Sequence, residues 1–293
     1  MKNHVLLFLS LCISMISLTS IYAQEVDTSK TWIIELVNEN TYIGKIQERN
    51  TEVIVFDSRE LGIITIKVTD VKSLVEIAED RIVNGVFWAD NPQATRYFLS
   101  SSGYGLRKGE GYYQNVWVFF NQFSFGITDQ VSVGVGLIPL FLFDGANTPI
   151  WITPKVSIPV NEKFNVSIGA LMGGIIGVDT DGPFGVAYGS GTFGTRDKNA
   201  TLGLGYGFAG GEWASVPTIT FSAMLRTGKK GYFITDNFLI DSGDEVLFVL
   251  SAGGRSVGKT ISLDYGGFIP ISSTDGAFII PWLGISVPIG RKN

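Results

Sequence analysis

The sharpest chemical signal in the sequence is Gly253–Thr260, GGRSVGKT, a full match to the phosphate-cradling pattern G-x-x-x-x-G-K-[ST], and it comes after the strand-like run VLFVLS. In a true phosphate loop Lys259 would contact nucleotide phosphates and Thr260 would hold magnesium. That chemistry needs a helix beginning at the lysine, so that successive backbone amides converge on the anion. The chain beyond Thr260 reads ISLDYGGFIPIS, in which Gly266, Gly267 and Pro270 forbid a helix of useful length. A hairpin turn is the expected role. GYGFAG at Gly205–Gly210 matches the dinucleotide pattern G-x-G-x-x-G, but it lies inside an alternating run and introduces no helix. The sequence therefore predicts neither a nucleotide nor any other cofactor.

Imidazole and thiol chemistry are equally remote. His4 and Cys12 are the single histidine and cysteine of the chain, and both fall in a segment that reads as an export signal. Lys2 gives it a positive start, Val5 to Leu18 an apolar core, and Ser20 and Ala23 the small residues of a cleavage site near residue 23. A lipoprotein alternative would acylate Cys12, yet Leu11 is bulky where that processing prefers a small residue. Removal of residues 1–23 leaves no histidine base, cysteine nucleophile, disulfide or Cys/His metal ligand. No serine–lysine or paired-carboxylate constellation stands out, so the chain reads as a non-enzyme without a metal site. With 27 acidic residues against 22 basic ones, one of which is Lys2, the exported chain carries about −6 charges and suits no nucleic-acid partner.

Composition divides the remainder. Residues 24–77 hold 16 charged side chains and two glycines, whereas residues 78–293 hold 32 charged side chains and 34 glycines. The first part, with the runs TWIIELVNENTYIGKI, TEVIVFD, GIITIKV and DVKSLVEI, predicts about five short strands joined by tight turns. Its length and strand spacing resemble SH3-like or Sm-like small barrels. We expect a periplasmic module that contacts a protein or the cell wall. Residues 78–94, with the breakers Gly85, Asn91 and Pro92, read as a linker.

From residue 95 to 293 a period of two takes over. In VSVGVGL, Val131, Val133, Val135 and Leu137 alternate with Ser132, Gly134 and Gly136; in FNVSIGA, Phe164, Val166, Ile168 and Ala170 alternate with Asn165, Ser167 and Gly169. ATLGLGYGF repeats the pattern, with Leu202, Leu204, Tyr206 and Phe208 opposite Gly203, Gly205 and Gly207. A soluble sheet would carry charge on its second face. Large residues on one face and small ones on the other fit a transmembrane β-barrel, with lipid outside and a curved interior. Mean hydropathy is positive, yet after the signal no stretch reaches the roughly 18 to 20 apolar residues of a spanning helix. The fold class expected is therefore all-β: an antiparallel transmembrane barrel of about twelve strands after a small five-stranded domain. The strands would be 95–103, 112–126, 131–141, 150–160, 164–177, 184–194, 200–210, 216–227, 231–240, 246–257, 261–271 and 278–289.

An even count places both barrel ends on the periplasmic side. The turns then assigned there, TDQ, NEK, TRDKN, GKK, GKT and the terminal RKN, sum to positive charge, while FDGAN, DTDGP, GEWAS, DSGDE and STDGA on the other side are all acidic. Only YGLRKGEG, taken as the first outer loop, breaks the alternation. Tyr112, Tyr113, Trp151, Phe164, Phe184, Tyr232, Phe278 and Trp282 lie near strand ends, where interfacial girdles would put them.

The order of a small exported β-domain, the segment NPQATRYFLSSSGYGLRKGEGYYQN and a glycine-rich barrel resembles uncharacterised outer-membrane β-barrel proteins of Gram-negative bacteria. That resemblance implies outer-membrane lipid as a partner and carries no catalytic or binding residues with it. The chain departs from many such barrels by ending VPIGRKN rather than on an aromatic residue.

The face assignment turns four charges inward: Lys155, Arg226, Arg255 and Asp264. Charges inside a barrel must be paired or wet. They are either a polar pathway with a weak anion preference or an internal salt-bridge network. Each option implies its own function: a small channel or transport pore for small polar solutes, or a closed anchoring barrel whose periplasmic domain binds a partner.

Overall fold

The computed structural model describes residues 27–139, 148–177, 182–241, 245–258, 260–272 and 278–290. The expected export signal, the terminal RKN, Lys259 of the phosphate-loop match, the loops FDGAN and STDGA, and parts of DTDGP and DSGDE lie outside the described residues. Two compact units divide at Trp88 and Ala89.

The first unit holds β1 (Thr31–Leu36), β2 (Thr41–Arg49), β3 (Val53–Ser58), β4 (Gly62–Lys67) and β5 (Val71–Ile77) in one antiparallel sheet of order β4-β3-β2-β1-β5. Ile34, Ile46, Ile54, Phe56 and Ile66 pack as its core. Trp32 and Leu36 pack beside Ile34 on β1, Ile54 stands two residues from Phe56 on β3, and Ile64 lies two from Ile66 on β4, so one pleated face is turned to the core. A two-strand hairpin, β6 (Ile82–Val83) and β7 (Val86–Phe87), ends the unit.

The second unit is a closed barrel of twelve antiparallel strands. In chain order these are β8 (Gly111–Val116), β9 (Phe120–Gly126), β10 (Val131–Leu137), β11 (Thr148–Asn161), β12 (Phe164–Ile176), β13 (Phe184–Gly194), β14 (Lys198–Ala209), β16 (Thr218–Arg226), β17 (Gly231–Asp241), β18 (Val246–Val257), β19 (Ser262–Ile271) and β20 (Ile280–Ile289). The two-residue β15 (Glu212–Trp213) folds back on the end of β14. Each strand pairs with the next, and the ring closes where β20 pairs with β8, Ile289 opposite Gly111 and Gly284 opposite Val116. The alternation is seen in the burial. Ser132, Ser167 and Thr201 are buried inside, while Val135, Ile168 and Leu202 are exposed outside.

Two expectations for the start of the barrel are corrected. Residues 95–103 are not a wall strand, because they run through the barrel interior. Residues 112–126 are not one strand but two, β8 and β9, folded at Trp117–Phe119. The two errors offset, so the strand number and its even parity hold. YGLRKGEG is not an outer loop either: it leads into β8 at the end that carries TDQ. There the Lys108 amide donates to the Asp129 carboxylate at 2.9 Å and the Gly109 amide to the Gly126 carbonyl at 3.0 Å. With that basic segment moved, the exception to the charge alternation disappears.

The aromatic girdle is corrected as well. Tyr112, Tyr232 and Trp282 are buried inside, and Trp151 and Phe184 line an interior cavity. Gly253–Val257 of the phosphate-loop match lies within β18, and β19 begins at Ser262, with no helix among the described residues between them. GYGFAG is likewise the end of β14 and its turn.

Candidate functional site: a plugged lumen

Residues 91–106 lie inside the barrel as a plug rather than leading up to it. Asn91, Gln93, Tyr97, Phe98 and Ser102 are all almost completely buried. The segment's own backbone bonds are few, an isolated bridge between Arg96 and Ser101 with the Tyr97 amide on Ser100 O and the Ser102 amide on Thr95 O, so the barrel wall must supply the other partners. Gly103 passes so near the wall that a Cβ there would stand 2.4 Å from the Asn165 carbonyl oxygen. Its amide donates to the Thr192 hydroxyl at 2.6 Å.

The plug's main anchor is ionic. Arg255 on β18 stands opposite Asp264 on β19 in register. Its Nε donates to Asp264 Oδ1 at 2.5 Å and its Nη2 to Oδ2 at 3.1 Å. The remaining donors of the fork reach the plug backbone, Nη1 to the carbonyls of Gln93 at 2.9 Å and Arg96 at 3.2 Å, and Nη2 to that of Tyr97 at 2.9 Å. Arg96, on the plug itself, closes the cluster by donating to Asp264 Oδ2 at 2.7 Å and to the Ser286 hydroxyl at 3.3 Å. One carboxylate is thus held between two guanidiniums. Planar guanidinium forks suit this better than ammonium groups, since a single group can serve a carboxylate and carbonyls together.

Three further ties obey the same logic. Lys155 on β11 donates to the carbonyls of Thr95 at 3.2 Å, Ser102 at 2.7 Å and Tyr104 at 2.6 Å. Asp236 on β17, fully buried, accepts from the amides of Leu99 and Ser100 at 2.8 and 2.9 Å and from the hydroxyls of Ser100 and Ser222 at 2.6 and 2.7 Å. Arg226 lies at the barrel end. It pairs with Asp197 at 3.0 Å, donates to the carbonyl of Ala89 at 2.8 Å, and lies over the Tyr232 ring. Tyr97 donates its hydroxyl to Asn199 at 2.6 Å, and Phe98 packs on Phe268 and Trp282 with ring centroids 5.9 and 5.7 Å apart.

The structure therefore places Lys155, Arg255 and Asp264 in the interior against the plug, with Arg226 at the turns beside it. It adds Arg96 and Asp236, which the period-two face assignment leaves out of the set. Arg96 is hidden in a segment that reads as a wall strand. The signal that could have exposed it is the run TRYFLSSSG, where Phe98 and Leu99 adjoin and three serines come next, so no period of two survives.

Beyond the plug the described residues of the barrel enclose a cavity. A cavity of about 730 Å³ is floored by Phe98, Leu99, Ser100 and Ser101 and walled mainly by the inner faces of β8 to β14. Trp117, Phe120, Trp151, Phe184, Tyr188 and Trp282 give it aromatic sides, and Gln122, Ser124, Thr153, Ser190 and Thr220 give it hydroxyls and amides. Gly136 makes room for one of these rings, because a Cβ there would stand 2.3 Å from Trp151. The cavity has the size of an ordinary small-molecule site.

No protein-family model matches the sequence, and no curated protein does. Solved structures of similar shape include the KdgM porin, at 9% identity and TM-score 0.45, covering 62% of this chain and 99% of that one. The CymD monoaromatic hydrocarbon channel, at 9% identity and TM-score 0.39, covers 90% and 87%. OccK11 of Pseudomonas aeruginosa, at 9% identity and TM-score 0.37, covers 89% and 94%. Identities this low and TM-scores below 0.5 transfer neither substrate nor residue role.

Proposed function

We propose that this chain is an outer-membrane barrel that carries a small solute through a lumen floored by its own plug. The observation that carries the reading is the cavity of about 730 Å³ enclosed by the barrel wall. An anchoring barrel needs no such space, and its interior would gain from filling it. Membrane placement rests on the exterior, where Phe123, Val135, Ile168, Leu202, Phe221 and Phe248 stand exposed around the ring. A water-soluble surface rarely carries so continuous an apolar belt. On this reading Lys155, Arg226, Arg255 and Asp264 hold the plug and its approach rather than select ions. The N-terminal sheet, which we take as SH3-like, lies in the periplasm with the basic turns after removal of the export signal.

Swelling of proteoliposomes in small neutral solutes tests the proposal. The full chain should admit solute faster than lipid alone, and Thr220→Trp with Ser190→Trp, which fill the cavity, should abolish the difference. Swelling equal to protein-free vesicles, from correctly folded protein, would leave the anchoring barrel in its place.

A further inference from the structure

The cavity beyond the plug is kept open by a repeated device. Five glycines of the wall stand in register opposite larger residues of a neighbouring strand: Gly136 opposite Trp151, Gly134 opposite Thr153, Gly169 opposite Tyr188, Gly173 opposite Phe184 and Gly203 opposite Thr220. In each pair the larger side chain lies where the glycine's own would be. A Cβ would stand 2.3 Å from the Trp151 ring at Gly136, 2.5 Å from the Tyr188 hydroxyl at Gly169 and 2.6 Å from the Phe184 ring at Gly173. At Gly134 and Gly203 it would meet the Thr153 and Thr220 hydroxyls at 2.3 and 2.4 Å. These side chains, all of which border the cavity, therefore lie along the wall instead of reaching across the lumen.

The surface so made is aromatic. Ring contacts run from Phe98 on the plug through Trp282, Trp117 and Phe120 to Trp151, with successive centroids 5.7, 5.0, 6.0 and 6.3 Å apart, and each of these rings borders the cavity. Their polar atoms are engaged or covered. Trp151 Nε1 donates to Gln122 Oε1 at 2.8 Å, Trp117 Nε1 donates to the Pro281 carbonyl at 2.7 Å, and Trp282 Nε1 is fully buried. Ring carbon is what remains toward the cavity, and it favours a further ring in offset or T-shaped contact.

Charge and hydrogen bonding set the other limit. Among the described residues the charged side chains bordering the cavity are Arg96 and Lys155. Arg96 is held by Asp264 and Gln93, and Lys155 donates to three plug carbonyls. An ionic solute would lose its water there without gaining a counter-charge. Gln122 spends its oxygen on Trp151 and its amide on Ser124, and Ser190 is bonded to Ser167, so a sugar would meet few partners for its hydroxyls. We infer that the cavity takes an uncharged, flat aromatic molecule, held against the rings, with Thr153 and Thr220 beside it to meet a single hydroxyl. This rests on the reading of the cavity as a solute site and names the solute's class.

Isothermal titration of the full chain in phosphatidylcholine nanodiscs, with empty nanodiscs as reference, tests it. 2-Naphthol should bind saturably and about tenfold more tightly than decahydro-2-naphthol, which carries the same hydroxyl on a saturated frame. 2-Naphthoate and maltose should not bind above the reference. Trp151→Leu should weaken 2-naphthol about fivefold, the worth of one aromatic pair, and leave the saturated analogue within about twofold; Phe184→Leu gives an independent repeat, each in protein that keeps its heat-modifiable mobility. Equal affinity for 2-naphthol and its saturated analogue overturns the aromatic class while the cavity reading stands, as does binding of naphthoate or maltose as tight as that of 2-naphthol. No saturable binding of 2-naphthol to a barrel that still admits neutral solutes in vesicle swelling overturns this inference alone. Neither binding nor swelling overturns both this inference and the reading of the cavity.

Discussion

Substituting Arg255 by Met tests what holds the plug. The change keeps much of the side-chain length and removes every donor of the fork. Asp264 would lose two hydrogen bonds, at 2.5 and 3.1 Å, and the carbonyls of Gln93 and Arg96 would lose the donor that reaches them from the wall. Breaking a buried ion pair by removing one partner costs about 3 to 5 kcal/mol. Arg96 remains on Asp264 at 2.7 Å, which places the cost at the lower end. About 3 kcal/mol corresponds to about 150-fold in the equilibrium between docked and released plug. Hydrogen exchange by mass spectrometry on the full chain in nanodiscs reads this directly. Amides of residues 93–103 should exchange faster by about two decades, while those of β12 and β13 keep their protection. Arg255→Lys should recover only part of the loss, since one ammonium cannot serve a carboxylate and three carbonyls at once. Unchanged protection of the plug in a folded Arg255→Met barrel would refute the reasoning.

Other sites give independent checks. Asp236→Ala leaves the partly buried Leu99 and Ser100 amides without this acceptor and should lower the midpoint of heat-modifiable gel mobility by several degrees, whereas Asp236→Asn, which keeps one acceptor oxygen, should lose less. Gly103→Ala should loosen the plug against β12, because the added carbon meets a backbone oxygen that cannot yield, and the same exchange measurement would show it at residues 97–103. In the N-terminal sheet the Thr31 hydroxyl, and after it Arg59, hold the Glu79 carboxyl below its usual range. A lowered folded value means stability that is present above the ordinary carboxylate range and lost as pH falls through the folded value. Protection of β1 amides should therefore decline in mild acid in the wild type and stay flat with Glu79→Gln.

The wall was legible in the sequence because lipid imposes a simple rule on it. Val135, Ile168 and Leu202 face outward and Ser132, Ser167 and Thr201 inward, and a period of two records that choice without tertiary information. The pairing of Arg255 with Asp264 was half legible, since both residues could be read as inward but their shared register could not. The plug was barely legible, because a buried segment with few backbone bonds of its own needs Arg96, Ser100 and Ser102 as bonding groups, and these share one face of an apparent strand that only Phe98 and the serine run interrupt. The β8–β9 turn was missed for a related reason. Turns are found by the residues that water and positive φ favour, and Trp117 and Val118 are neither. Gly253 and Gly254, which suggested a phosphate loop, instead flank the plug's anchor: a Cβ on Gly253 would meet the Tyr265 carbonyl at 2.2 Å.

The most direct test of a solute lumen floored by a plug is current through single barrels in planar bilayers. The full chain should give only small, infrequent events, and replacing residues 91–105 by a glycine–serine linker, with heat-modifiable mobility retained, should give steady conductance many times larger. Equal conductance from the two proteins would contradict the account.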